Sequence, residues 1–410
     1  MDLDYNLLKS LSEEHGDSFY LLDSNTFEKN YSELITSFRK LYPKTFIGYS
    51  YKTNYIPRLC SIINKNKGFA EVVSEMEYDL AVKVGVDPVN IIVNGPYKTK
   101  ATLTKFLIQG SLVNIDSLYE VQLVKEISEE FPEKEFRIGV RCNFQINSSY
   151  ISRFGIDIDN PGFYDTFHIL NGIPNVSLEG IHCHFPDRQL DLYKIRVQTM
   201  LRLSAEVFDT PPKFIDIGGG YFGKMPLTLA NQFSVKMASY EDYANLIAGE
   251  FAFFFRETPD EKKPKLIIEP GSAIVADTMS FVAKAIEIKK VKNKQIVTTS
   301  GSKFNLGSFS SPINLPLEVY SSNNDLRQQK DTFEIAGYTC IENDYLYKDY
   351  FGTIKKGDFL VFSNVGSYSI VFKPPFILPN CAIIELGKNN EINIVRRKET
   401  FDDVFITYTL

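Results

Sequence analysis

Between residues 45 and 268 eight short β-rich runs alternate with stretches of helical periodicity, and this alternation limits the possible folds more than any other feature. The runs are Thr45–Tyr49, Ala70–Val73, Ile91–Val93, Val113–Ile115, Arg137–Arg141, Leu178–His182, Phe214–Ile217 and Leu266–Ile268. Segments between them, such as Glu75–Val84 and Leu118–Glu129, repeat apolar residues at helical spacing. Strands alternating with helices imply a parallel sheet, and eight of them fit a closed (β/α)8 TIM-like barrel. After about residue 280 the texture changes to strand-like pieces joined by turns: Ser280–Lys289, Gln295–Thr299, Thr332–Ala336, Phe359–Ser363, Ala382–Leu386 and Ile392–Arg396. The expected class is therefore α/β, a barrel plus a C-terminal all-β domain that also takes up a strand at Ser18–Asp23. The boundaries expected are 26–279 for the barrel, with 1–25 and 280–410 forming the β domain.

Polar and glycine-rich positions follow the C-terminal ends of these runs: Lys52, Asn94, Asp116, Arg141, His184, Gly218–Gly220 and Glu269-Pro270-Gly271. In a barrel such positions converge on one mouth, where active sites form. A net charge of −6 with interspersed signs speaks against a nucleic-acid partner. The apolar runs are too short for a membrane span, and the acidic N-terminus lacks a secretory pattern. Five scattered cysteines read as reduced thiols, so a cytoplasmic protein is expected.

Lys52 closes the first barrel strand in Gly48-Tyr49-Ser50-Tyr51-Lys52-Thr53-Asn54. A lysine in a partly dry mouth suits imine chemistry; a solvated strand-end lysine is the plainer alternative. Gly218, Gly219 and Gly220 let backbone N–H groups surround a phosphate, or simply make a tight turn. Their spacing matches neither a P-loop nor a dinucleotide fingerprint. Glu269 could hold a cofactor ring nitrogen or serve in a salt bridge. In His182-Cys183-His184 only one imidazole is expected to face the barrel interior, so no metal site is expected. Gly337–Asp344 places Cys340, Glu342 and Asp344 in one loop of the β domain, and Gly366-Ser367-Tyr368 flanks a tyrosine with glycine.

Taken in order, these motifs resemble the fold-type III pyridoxal-phosphate (PLP) decarboxylases, the ornithine, diaminopimelate and arginine decarboxylase family, from about residue 17 to about 380. Tyr49-Ser50-Tyr51-Lys52-Thr53-Asn54 resembles Tyr-Ala-x-Lys-Ala-Asn, which implies that Lys52 carries PLP as a Schiff base. Ser74-Glu75-Met76-Glu77 is similar to the Ser-x-x-Glu helix start. Arg141-Cys142-Asn143 with Arg153-Phe154-Gly155 is similar to the elements that place Arg141 near the cofactor. Gly180–His184 resembles Gly-Leu-His-Cys-His, implying that His184 stacks on the ring. Asp216–Gly220 and Glu269-Pro270-Gly271 resemble the phosphate-binding and ring-nitrogen motifs, the latter including Gly271. Cys340 with Asp344 is similar to the Cys-x-x-x-Asp loop, and Tyr368 to a tyrosine near the phosphate. The resemblance further implies a homodimer in which Cys340, Glu342 and Asp344 serve the partner's site and its amino-acid substrate. A glutamate at 269 favours decarboxylation over racemisation.

Several family positions are altered here. Phe185-Pro186-Asp187 replaces the segment with a phosphate-binding serine, Ser272 replaces an arginine, and Glu71 replaces an aspartate. Ile341 replaces the acidic residue that grips a distal ammonium, with Glu342 one place later. These changes point to a specialised decarboxylase of siderophore, polyamine or other secondary metabolism, acting on a bulky or conjugated amino acid. Two alternatives stand beside it: a diaminopimelate or ornithine decarboxylase of primary metabolism, and a silent homologue that binds a partner protein.

Overall fold

The computed structural model describes residues 3–146, 151–307, 313–322, 330–387 and 391–409. The chain forms two compact units, one of Glu28–Phe222 with Val235–Ala273, the other of Met1–Phe27, Gly223–Ser234 and Ile274–Leu410. In chain order the strands are β1 (Ser18–Leu22), β2 (Thr45–Ser50), β3 (Phe69–Val72), β4 (Ile91–Val93), β5 (Leu112–Ile115), β6 (Phe136–Asn143), β7 (Ile156–Asp157), β8 (Val176–His182), β9 (Phe214–Asp216) and β10 (Lys265–Ile268). They continue as β11 (Met279–Val291), β12 (Lys294–Thr299), β13 (Leu317–Tyr320), β14 (Asp331–Ala336), β15 (Tyr345–Gly352), β16 (Phe359–Phe362), β17 (Ala382–Leu386) and β18 (Ile392–Arg396).

In the first unit the order β5-β4-β3-β2-β10-β9-β8-β6 is closed by pairing of β5 with β6. Every pairing is parallel, so this is the expected eight-stranded barrel. Buried side chains fill every position of β3, β4 and β5, as strands covered on both faces require. Helices start just beyond strand ends because short polar caps stand there. Ser74 accepts the Glu77 N–H before the helix Glu75–Lys83, and Ser117 accepts the Glu120 N–H before Leu118–Glu130. The register sets residues of neighbouring strands level with one another: Arg141 beside His182, His182 beside Asp216, and Ser50 beside Glu71.

The second unit is mainly sheet, in the order β15-β14-β12-β11-β1-β17-β18, with β16 pairing both β11 and β13. β1 lies antiparallel to β11 and parallel to β17, so the N-terminal strand does join this sheet. Its core includes Phe19, Leu21, Val282, Val361 and Ile384, with Leu8 and Leu11 from a helix, Tyr5–His15, that the sequence reading did not anticipate. Segment Gly223–Ser234 is tied to this unit through Gln232, which exchanges hydrogen bonds with the Asn314 backbone at 2.7 and 2.9 Å. At Gly366 a Cβ would fall 1.8 Å from the Val275 carbonyl oxygen, so only glycine fits before Ser367 and Tyr368.

Candidate active site

The C-terminal ends of the barrel strands carry one continuous polar network. Lys52 stands in a single helical turn directly after β2, and its Nζ donates to Glu71 Oε2 at 2.6 Å and to Ser50 Oγ at 2.7 Å. Ser50 Oγ also donates to Glu71 Oε2, at 2.5 Å. Asn94, just past β4, donates from one amide nitrogen to Glu71 at 3.0 Å and to Glu269 at 2.6 Å. Asn114 on β5 in turn donates to the Asn94 carbonyl oxygen at 2.8 Å. Glu71 is fully buried and Glu269 almost so, hence each carboxylate depends on these donors.

Glu269 also faces His182, whose Nε2 lies 3.4 Å from Oε2. Burial alone would push the Glu269 carboxyl up, but the His182 imidazole and then Lys52 hold it well below the ordinary carboxylate range. Asp216 behaves oppositely: burial, then the charge of Glu269, push its carboxyl well up, against the pull of the Gly218 N–H. Glu269 is therefore the charged member of this pair and Asp216 the protonated one. Burial, then the charge of Lys52, lowers His184 and keeps it neutral. A neutral ring agrees with His184 Nδ1 accepting the Gly219 N–H at 2.9 Å.

Both imidazoles thus reach the same end of the barrel, which corrects the expectation that only one would. Residues two apart on a strand share a face, and β8 stops at His182, so His184 follows loop geometry. His182, Asp216 and Glu269 have donor atoms within 4.8 Å of one another, a grouping able to hold a cation. The argument against a metal from opposite strand faces therefore does not apply; here His182 is directed at the Glu269 carboxylate.

The glycine run is a cradle with no room for side chains. Gly218 and Gly220 have φ of 71° and 97°, and a Cβ on Gly219 would lie 2.4 Å from the Glu269 carbonyl oxygen. The Gly218 N–H is held by Asp216 Oδ1 at 2.8 Å. A Cβ on Gly271 would meet Thr53 Oγ1 at 2.1 Å. Arg141 pairs with Asp116 at 3.1 Å and lies over the Phe154 ring, 4.8 Å from its centroid. An amine, a charged carboxylate and a cradle free of Cβ atoms, with His182 Nδ1 buried and without a hydrogen-bond partner among the described residues, suit a phosphorylated pyridine aldehyde.

The remaining expected site residues belong to the other unit. Cys340 and Glu342 are exposed. Asp344 is buried, and its oxygens accept from Ser302 Oγ (2.9 Å), the Lys303 N–H (2.8 Å), Thr339 Oγ1 (2.6 Å) and the Thr339 N–H (3.3 Å). Its carboxylate is thus committed to the loop that displays Cys340. Tyr368 sits at φ 59° with its ring stacked on Phe372. Sequence reasoning missed Asn114 and Arg196. Asn114 stands at alternate spacing with its neighbours inside a strand, a weak signal; Arg196 reads as an ordinary helical cation.

A closed barrel with an amine, a glycine cradle and a buried acid at its strand ends defines a cofactor-dependent enzyme. Residues 29–276 match the family model described as the pyridoxal-binding domain of pyridoxal-dependent decarboxylases, and the chain belongs to that family. It is similar to the diaminopimelate decarboxylase of Aquifex aeolicus, 24% identical over 96% of this chain and 92% of that one. It is also similar to the L-glutamyl-[BtrI acyl-carrier protein] decarboxylase of Niallia circulans, 25% identical over 99% of this chain and 97% of the relative. A crystal structure of diaminopimelate decarboxylase from M. jannaschii has a TM-score of 0.85 at 20% identity, covering 98% of this chain and 94% of that one, and shows the shared fold. The protein is a PLP-dependent decarboxylase of an amino acid, a carboxy-lyase. Among the described residues no helix is long and apolar enough to cross a membrane.

Proposed function

We propose that the chain removes the α-carboxylate of a specialised amino acid whose side chain is bulky or conjugated, as in siderophore, polyamine or other secondary metabolism. The observation that carries this is Ile341, directly after Cys340, where the family resemblance places a carboxylate. An isoleucine cannot hold the distal ammonium of a free diamino acid. The similarity to a decarboxylase of a carrier-bound glutamyl group supports a conjugated substrate.

In this reading the Lys52 amine would hold the cofactor covalently. When bound, PLP supplies the electron sink for the pair left behind as CO2 departs. Glu269, kept charged by His182, would hold the ring nitrogen, and His184, its Nδ1 fixed by Gly219, would cover the ring. Gly218, Gly219, Gly220, Gly271 and Arg141 would form the cofactor's surroundings. Cys340 delivers the proton that replaces CO2, Glu342 reads the far end of the substrate, and Asp344 shapes their loop. Exposure of Cys340 and Glu342 supports their serving the partner subunit of a homodimer.

The test is CO2 release from free diaminopimelate, ornithine, lysine and arginine against glutamate and diamino acids carried as thioesters or amides. Preference for a conjugate by tenfold or more in kcat/KM is the expected result. Efficient turnover of free diaminopimelate would replace this reading with the primary-metabolic one, which the names of most similar relatives favour.

A further inference from the structure

Arg196 lies on the helix Leu190–Val207 and is fully buried, an expensive place for a guanidinium. Four backbone carbonyls accept from it: Nη1 donates to Ile217 (3.3 Å) and Gly219 (2.9 Å), Nη2 to Phe185 and Asp187 (3.1 Å each). Its plane packs on the Tyr193 ring, 4.0 Å from the centroid. Two tyrosines complete the grip, Tyr193 donating to the Gly219 carbonyl at 2.7 Å and Tyr221 to that of Gly218 at 2.9 Å.

A trans peptide sets its C=O and N–H antiparallel, so a carbonyl pulled one way sends the next residue's N–H the other way. Holding the Gly219 carbonyl aims the Gly220 N–H away from Arg196, and holding that of Asp187 does the same for the Arg188 N–H. Pro186 has no N–H to offer. We infer that Arg196 is the positioning residue of the phosphate cradle, turning the amides of Gly220 and Arg188 toward the phosphate and placing a buried positive charge behind them. This rests on the PLP reading of the site. It accounts for phosphate binding in a chain that has Pro186-Asp187 and Ser272 where its family resemblance places a serine and an arginine. The bridge also ties two loops, residues 185–187 and 217–219, to one helix, so both would move together.

The experiment titrates wild type, Arg196→Met, Arg196→Lys and Tyr193→Phe with PLP and, separately, with pyridoxal, which lacks the phosphate. The readout is the visible band of lysine-bound cofactor. Arg196→Met is expected to weaken PLP roughly 10- to 100-fold while leaving pyridoxal within about twofold. Arg196→Lys and Tyr193→Phe, which keep the charge or most of the bonds, are expected to lose about three- to tenfold for PLP alone. Equal losses for PLP and pyridoxal, or an unchanged PLP affinity in either conservative variant, would overturn the inference. Should Arg196→Met not fold, the two conservative variants decide. Should wild type capture neither aldehyde, the PLP reading fails by itself. The melting-temperature shift with inorganic phosphate then decides on Arg196: a shift in wild type that Tyr193→Phe and Arg196→Lys diminish supports it, and an equal or absent shift overturns it.

Discussion

Lys52 Nζ lies 2.6 Å from Glu71 Oε2, joining the end of β2 to β3 through an ion pair whose acidic member is fully buried. Glu71 also accepts from Ser50 and Asn94, so it is the hub on which the lysine's position depends. Glu71→Gln keeps the shape but replaces one acceptor with a donor facing Lys52 and Ser50. We expect a loss of roughly 1–3 kcal/mol in unfolding free energy, measured by urea denaturation. Glu71→Asp, a carboxylate on a shorter stem, is expected to retain more of it.

The opposite protonation of Asp216 and Glu269 separates two otherwise similar variants. Asparagine mimics a protonated aspartate, so Asp216→Asn should keep kcat within about tenfold, a modest cost by the scale of single active-site hydrogen bonds. Glu269→Gln removes the charge held by His182 and should lower kcat on the order of 100-fold or more. Steady-state CO2 release measures both. Equal losses would mean the proton is shared or sits on Glu269.

Glu77 ties the end of β3 to the following helix by accepting the Val73 N–H at 2.8 Å. Burial, partly offset by that N–H and reinforced by the charge of Glu71, pushes its carboxyl up to about 7 from an ordinary 4.5. Between those values the folded chain holds the proton and the unfolded chain does not. Stability contributed by this group is therefore full below about 4.5 and declines as pH rises toward 7. Glu77→Gln should flatten that decline and raise stability at pH 8 by on the order of 1–3 kcal/mol, read from denaturation curves at several pH values.

The proposed sharing of sites between two copies of the chain predicts complementation. Lys52→Ala and Cys340→Ala would each be nearly inactive alone. Mixed, dissociated and reassociated, they should recover about a quarter of wild-type activity, because half the dimers are mixed and each mixed dimer has one intact site. No recovery, with mixed dimers verified by mass, would place Cys340 and Lys52 of one chain in the same site.

Much of the barrel was legible because its signals are local. Polar caps such as Ser74 and Ser117 follow apolar runs, and Gly218–Gly220 and Lys52 stand just beyond strands. β13 and β15 escaped notice because their residues are largely half-buried or exposed, without the apolar runs of the barrel strands. The network Lys52–Glu71–Asn94–Glu269 was not legible as a network, since it depends on which strands are neighbours and at what register. Arg196 was hidden for a related reason. Its acceptors are carbonyls 9 to 23 residues away, and no side-chain pattern announces them. The histidine pair was misread by treating positions two apart as opposite faces.

The most direct measurement is the absorption spectrum of the purified chain with added PLP, beside that of Lys52→Ala. We expect a visible band of lysine-bound cofactor in wild type, removed by borohydride into a stable adduct at Lys52, and no band in the variant. A wild-type chain without that band at saturating PLP, or a variant that still shows it, would contradict the assignment of Lys52 as the residue that holds the cofactor.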